Sequence, residues 1–393
     1  MTLIPGSSAP SANDQSPGEN FLFCSSFAAD VWHQSDKPVA YEWWYFDAVS
    51  DDGRDAMVII FLDNFVFSPR YNAFCDAETR RNVSAAKNSP VAQTVFASPN
   101  FALSQKTPAL AFTYYRDGKP IYRAINEFEP EDFSAQTKTP WCKIGANEFR
   151  FEPTPYGAHY QLNINANLRG GRKLTAALEW LAVESDFAPL STSADFEHKH
   201  FWNLVSPRSD VTGKIEIFDR ALNQTEQIQF RGTGYHDHNM DSRWLPATVA
   251  EWQWGRAHFA DATAVFYRYC EIGNRENAVT QLFLVNEDKF STHEASFVQS
   301  KPHRNLFGIK YPQKLDFLTP KDYSLTVNQT RVIDASFFYL RFLSEMRLDL
   351  GDGKLRETIG ITEHLAPRSL RWRSLDWLVN MRIGRNGRGA FLP

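Results

Sequence analysis

Strand-like runs separated by turn residues recur about every ten residues along this chain, and stretches of 3.6-residue periodicity are few, which points to an all-β fold of barrels or sandwiches. Val58 to Leu62 is a short continuous apolar run, whereas Gln161 to Leu168 and Lys214 to Phe218 alternate apolar and polar residues. Further candidates are Thr225 to Arg231, Glu251 to His258, Ala262 to Ile272, Thr280 to Val285 and Ser324 to Val327. Alternation leaves one face of a strand wet or lining a cavity. The chain also carries 31 Phe, 14 Tyr and 11 Trp. Rings of this breadth suit barrels and cavities for large apolar ligands, or simply fill β cores.

At 393 residues the chain exceeds the usual size of one hydrophobic core, so two domains are expected. The turn cluster Ser206-Pro207-Arg208-Ser209-Asp210 suggests a division near residue 210. The expected organisation is a disordered leader over 1–22, barrels over 23–210 and 211–370, and a helix with a tail over 371–393. Asn82 to Lys106 and Pro130 to Pro140 read as irregular excursions. Between Arg368 and Arg388 six Arg stand against one Asp, with Leu370, Trp372, Leu375, Trp377, Leu378 and Met381 at roughly helical spacing. That pattern is an amphipathic helix packed on a barrel, with peripheral attachment to a membrane surface as the alternative.

A net charge of −4 offers no basic field for a nucleic acid, and no Gly-rich phosphate loop follows a strand. Cys24, Cys75, Cys142 and Cys270 are too scattered for a zinc pattern and read as buried thiols in the reducing cytoplasm. No apolar run approaches the length of a membrane-spanning helix, and no signal peptide is visible, so a soluble protein is expected.

Three constellations carry chemistry. In Tyr41-Glu42-Trp43-Trp44-Tyr45-Phe46-Asp47 two carboxylates bracket four aromatics. On a strand, Glu42, Trp44 and Phe46 share one face while Trp43, Tyr45 and Asp47 share the other, and the rings of a cavity wall can stabilise a carbocation. In Arg231 to Asp241, Gly232 and Gly234 end a strand, which places Tyr235-His236-Asp237-His238-Asn239-Met240 at a turn. His236 and His238 then face one side and Asp237 the other. An imidazole there can act as acid or base with a carboxylate fixing its tautomer. His-x-His can also chelate, but no third ligand stands at a recognised spacing, so no metal is expected. Glu251-Trp252-Gln253-Trp254-Gly255-Arg256-Ala257-His258, with Phe266-Tyr267-Arg268-Tyr269, supplies a second aromatic wall. No Gly-x-Ser-x-Gly elbow is present, which disfavours acyl-enzyme chemistry.

Taken together, Glu42 to Asp47, His200-Phe201-Trp202, Ser206-Pro207-Arg208, Gly234 to Asn239, Trp252 to Arg256 and Thr362-Glu363-His364-Leu365 resemble the carotenoid 1,2-hydratase (hydroxyneurosporene synthase) and AttH-like family, in order across roughly residues 25 to 370. The resemblance implies two lipocalin-like antiparallel β-barrels in tandem. It also implies cofactor-independent addition of water to a terminal isoprenoid double bond, through a protonated alkene and a tertiary cation. The residues it points to as catalytic are His236, Asp237, His238, Tyr267 and Tyr269. Those it points to for holding an apolar isoprenoid or polyene are Glu42, Trp43, Trp44, Tyr235, Asn239, Met240, Trp252, Trp254 and Arg256. Met240 stands where the family's hydratases carry Trp, and Tyr269 where they carry Asp. Three readings therefore stay open: a hydratase-like or cyclising enzyme that protonates an alkene, a Diels-Alderase-type pericyclic cyclase, and a non-catalytic lipid or pigment carrier.

Overall fold

The computed structural model describes residues 20–88, 105–154, 157–191, 194–287 and 289–392, with backbone alone over 82–88. Its first sheet contains β1 (Phe21–Cys24), β2 (Tyr41–Ser50), β3 (Asp55–Leu62), β4 (Ala109–Arg116), β5 (Lys119–Glu127), β6 (Phe133–Ala135), β7 (Trp141–Ile144), β8 (Asn147–Thr154), β9 (Gly157–Asn167), β10 (Lys173–Glu184), β11 (His200–Asp219) and β12 (Gln224–Asp241). The second contains β13 (Val249–His258), β14 (Ala262–Glu271), β15 (Val279–Asn286), β16 (Lys289–Glu294), β17 (Ser296–Arg304), β18 (Lys310–Leu318), β19 (Ser324–Ala335), β20 (Tyr339–Asp349) and β21 (Leu355–Leu365).

Each sheet is an antiparallel meander curled so that early and late strands meet. The order is β5-β4-β3-β2-β12-β11-β10-β9-β8-β7-β6 in the first, with β1 parallel on β11, and β16-β15-β14-β13-β21-β20-β19-β18-β17 in the second. The result is two half-barrels in tandem, the all-β architecture expected from the sequence. Meanders of this kind bury one face of each strand inside the curl.

Several local expectations fail for identifiable reasons. Residue 210 lies inside β11, and the first sheet continues to Asp241; the chain passes to the second sheet through Ser242 and a short helix α2 (Leu245–Thr248), after α1 (Pro69–Asn88) earlier in the chain. The Ser206-Pro207-Arg208-Ser209 cluster shifts the β11–β12 register without ending the strand. A bulge tolerates Pro, because the bulged residue need not donate to the ladder. Gly232 and Gly234 likewise interrupt nothing, since β12 runs through them. A Cβ on Gly234 would lie 2.5 Å from the Trp180 ring nitrogen and from Val211, so close packing, rather than a turn, requires the glycine. The leader expected over 1–22 falls outside the described residues up to 19, and at Phe21 the chain is already in β1. Helix α1 begins before the expected 82–106 excursion and takes its first residues; 89–104 lie outside the described residues. Within the other excursion, Pro130–Asp132 form a 3-10 turn and Phe133–Ala135 form β6. At the C-terminus, two 3-10 turns lead to a single helical turn, α3 (Asp376–Asn380), in place of a longer helix. No helix among the described residues is long and apolar enough to cross a membrane. All four cysteines are free and buried.

The three largest apolar cores among the described residues follow from this arrangement. One fills the first curl with Trp44, Phe46, Ile59, Phe61, Phe149 and Trp180. A smaller one fills the second curl with Phe266, Leu282, Phe317 and Leu348. The third lies between the sheets and includes Trp43, Tyr45, Trp202, Trp252, Trp254 and Tyr267. The stretch Tyr41 to Ala48 of β2 and the stretch Gly234 to Asp241 of β12 are therefore buried on both faces. Arg256 of β13 forms a buried pair with Asp47 of β2, at 2.9 Å from Nε, and locks the half-barrels together.

Candidate active site between the two sheets

A cavity of about 330 Å³ opens in the core between the sheets. Its aromatic wall comes from Trp43 and Tyr45 of β2, Trp252 and Trp254 of β13, and the Phe337-Phe338 connection, and aliphatic residues of β3 such as Val58, Ile60 and Leu62 complete it. Trp43 and Trp252 stack across the interface, with centroids 5.6 Å apart and planes 12° apart. Polar groups reach the wall at a minority of points, among them Asp237 and Asn239 of β12, the pairs Arg341–Glu363 and Arg123–Asp334, and Arg382.

Asp237 is placed by strand register. It pairs with Tyr45, so its side chain joins the odd-numbered face of β2 that lines the cavity. Its Oδ2 accepts from Trp202 Nε1 at 3.0 Å and from the Tyr235 hydroxyl at 2.8 Å, and Oδ1 accepts from the Asn239 amide at 3.0 Å. Trp254 Nε1 donates to the Tyr235 oxygen at 3.2 Å and so fixes that hydroxyl's direction. Burial raises the Asp237 pKa to about 7; the Trp202 and Tyr235 donors offset this only in part, and the negative charges of Glu363 and Asp47 add to the rise. Oδ1, with a single donor, is the oxygen with room for a proton. Near neutral pH the cavity thus carries a carboxylic acid that is partly protonated and rigidly held.

The even-numbered face of β12 points the other way. His236, His238 and Met240 face the first half-barrel, with Glu42, Trp44 and Phe46 of β2 on the same side. His236 Nδ1 donates to the Tyr45 carbonyl at 2.9 Å, its Nε2 lies 3.0 Å from Asp30 Oδ2, and its ring stacks on Phe46. His238 Nε2 lies 2.8 Å from Glu42 Oε1, and Nδ1 lies 3.1 Å from Asp30 Oδ1 without the alignment of a hydrogen bond. Burial would lower the His238 pKa, but Asp30 and Glu42 outweigh it and raise it to about 9. Burial likewise opposes ionisation of Asp30, yet His236 and His238 hold it down at about 2. The two histidines therefore form a buried polar nest with Asp30 and Glu42 behind the cavity wall. His33, Glu42 and His238 bring three potential metal-ligand atoms within 4.8 Å of one another, a grouping that no spacing in the sequence suggested, because His33 comes from the irregular segment before β2. In this nest they are hydrogen-bonded directly, Glu42 Oε1 lying 2.7 Å from His33 Nδ1.

The remaining candidates occupy a third position. Tyr267 and Tyr269 pack in the inter-sheet core beside the cavity. The Tyr267 hydroxyl lies 2.5 Å from His200 Nε2, and burial, with Arg243 nearby, lowers the His200 pKa to about 3, so Tyr267 donates to a neutral ring. The Tyr269 hydroxyl donates to Glu271 at 3.0 Å. Burial drives both phenols well above their usual pKa, so neither is a proton source for an alkene. Arg256 is consumed by Asp47. Met240 packs with Cys24, Ala29 and Phe201. Of the residues singled out from sequence, the structure brings Trp43, Asp237, Asn239, Trp252 and Trp254 to the cavity and sets Tyr235 directly behind it. Arg341, Glu363 and Asp30 were not singled out for these roles. An arginine on the buried face of β20 was the available signal for the first and the Thr362-Glu363-His364-Leu365 motif for the second, whereas Asp30 lies in a segment with no periodic signal.

A family model described as carotenoid hydratase CrtC matches residues 182–391. Across 368 residues and 91% of both chains, the sequence is 27% identical to a protein named hydroxyneurosporene dehydrogenase from Chlorobaculum tepidum. It is 23% identical over 250 residues to an acyclic carotenoid 1,2-hydratase from Rubrivivax gelatinosus, covering 63% of this chain and 53% of that one. Among solved structures, a putative AttH from Nitrosomonas europaea superposes with a TM-score of 0.52 at 14% identity, over 93% of this chain and 99% of that one, and shares the fold. The family match takes in β11, β12, the whole second sheet and the C-terminal segment, hence Asp237, the β13 tryptophans and the Arg341–Glu363 pair that close the cavity; on that footing the chain belongs to the carotenoid hydratase CrtC family.

Proposed function

We propose that this chain is a hydratase-like lyase that adds water to an alkene of an apolar isoprenoid, in the class of acyclic carotenoids, inside the cavity between its half-barrels. One observation carries the reading: a carboxyl with its pKa raised to about 7 sits on the wall of an aromatic cavity. In the step proposed, the Asp237 carboxyl proton adds to the CH carbon of a terminal trisubstituted alkene and leaves a tertiary cation on the neighbouring, dimethyl-bearing carbon. The π faces of Trp43, Tyr45, Trp252 and Trp254 lie around that cation. Water then bonds to the cation, and the oxonium gives its proton back to the Asp237 carboxylate. The balance is alkene plus water to tertiary alcohol, with the acid regenerated and no cofactor consumed.

The experiment is incubation with neurosporene or lycopene and mass analysis for a gain of one water. The reading expects that product from the native chain and its loss in Asp237→Asn. A pericyclic cyclase reading needs no proton donor; unaltered turnover by Asp237→Asn, with a product of unchanged mass, would favour it. Stoichiometric pigment that co-purifies and is never turned over would favour a carrier.

A further inference from the structure

Two segments meet at the outer end of the cavity. The tip between β17 and β18 carries Leu306, which is completely exposed, and Phe307, which lines the cavity yet is 43% exposed. The cavity therefore reaches the surface at Phe307. The C-terminal segment supplies Leu378, Arg382 and Leu392 to the same opening and exposes Trp372, Trp377 and Phe391 beside it. Both segments brace on one connection: Asn305 donates to the Ser336 carbonyl at 3.1 Å, Arg382 to Ala335 at 3.2 Å, and Ser369 to Phe337 at 2.9 Å.

The composition of this rim is unlike the rest of the surface. Of the five large aromatics exposed among the described residues, Phe307, Trp372, Trp377 and Phe391 are here, and only Phe218 is elsewhere. Exposed cations interleave with them, Lys301, Arg304 and Lys310 on the hairpin and Arg368, Arg371 and Arg388 on the C-terminal segment. Over 301–310 and 366–392 the one acidic residue is Asp376, already paired with Arg373 at 3.1 Å. Aromatic and aliphatic tips set among arginines and lysines match the boundary of an anionic bilayer, where rings enter the headgroup region and cations meet lipid phosphates.

We infer that this rim docks the mouth of the cavity onto an anionic lipid bilayer, so that an apolar substrate dissolved in the membrane enters past Phe307 without crossing water. A partner protein would also accept apolar tips. What favours lipid is the excess of exposed cations on both segments, whose one carboxylate, Asp376, is paired, and their continuity with the opening of an apolar cavity. The purpose given to the docking rests on the hydratase reading; the docking itself is measured without substrate.

The test is flotation of the full chain with substrate-free vesicles of phosphatidylcholine, alone or mixed with phosphatidylglycerol. Binding is expected to be at least about tenfold stronger on the anionic vesicles and to weaken with salt. Leu306→Glu/Trp372→Glu/Phe391→Glu and, separately, Lys310→Glu/Arg368→Glu/Arg388→Glu should each lower it by at least about tenfold while melting like the native chain. With detergent-dispersed substrate the first variant should turn over at the native rate, and with vesicle-embedded substrate it should slow. Equal or no binding to the two kinds of vesicle, or unaltered binding by both variants, would overturn the inference. So would a native dimer in light scattering that the apolar-tip variant converts to monomer, which would assign the rim to a second copy of the chain.

Discussion

Asp30 and Asp237 are the same residue type on opposite sides of one sheet, and their surroundings drive them apart. Asp30 meets two imidazoles and stays ionised, whereas Asp237 meets neutral donors in an apolar wall and holds its proton to about pH 7. If protonated Asp237 is the acid, the rate falls as pH rises through about 7, and Asp237→Asn lowers it by about 10²- to 10⁴-fold; a pH–rate profile of both proteins checks this. The same raised pKa bears on stability. It favours the fold fully below the unfolded carboxyl pKa of about 4, and that contribution is lost as pH rises through about 7. His238 works in the higher window: its contribution is complete below about 6.5 and lost as pH climbs through about 9. Removing the ring in His238→Ala leaves Asp30 and Glu42 short of a buried cation, and urea unfolding should show a loss of about 3–5 kcal/mol. The alternation of Tyr235 to Asn239 already separated Asp237 from the two histidines. Which side holds the cavity was illegible, because Gly234 to Asp241 is buried on both faces and carries polar side chains on each, and because Asp30 and His33 lie in a segment with no periodicity to mark them.

Strand β12 presents Asp237 only if it lies flat between β2 and β11. Gly234 makes that possible, since a methyl there would press on Trp180, Val211 and the Asp47 carbonyl. Gly234→Ala should destabilise the fold by about 1–3 kcal/mol, read as a lower urea midpoint at constant slope. Glycine and proline in sequence signal interruption more readily than close packing. For that reason Gly232, Gly234 and Pro207 suggested chain ends where β11 and β12 continue. Clean alternation was a sound guide at Gln161 to Leu168, of which all but Leu168 lies in β9, and at Lys214 to Phe218, inside β11. Helix α1 went unseen because its first turns, from Pro69 to Arg81, mix Tyr, Phe and Cys with charges and give only a weak apolar stripe.

At the scale of the whole molecule, the active space belongs to neither half-barrel. Each curl is filled by its own core, and the cavity exists because two aromatic outer faces meet without filling the gap between them. Such a site has no contiguous sequence signature: Trp43 and Asp237 come from the paired strands β2 and β12, Trp252 and Glu363 from the paired strands β13 and β21, and the packing of one sheet on the other brings the two pairs together. The aromatic load was compatible with a cavity or with filled β cores, and the rings prove to do both, with no signal for a cavity's position between the sheets. Arg256 and Asp47 set the separation of the sheets. Arg256→Met removes the buried cation of Asp47 and should therefore both lower stability by about 3–5 kcal/mol and raise KM, checked by urea unfolding beside kinetics. The central claim, that Asp237 protonates a bound alkene in this space, is tested most directly by turnover of an acyclic carotenoid in D2O. It predicts one non-exchangeable deuterium on the carbon beside the new tertiary alcohol, and no such product from Asp237→Asn. Hydrated product without deuterium, or labelled product formed at the native rate by Asp237→Asn, would contradict it.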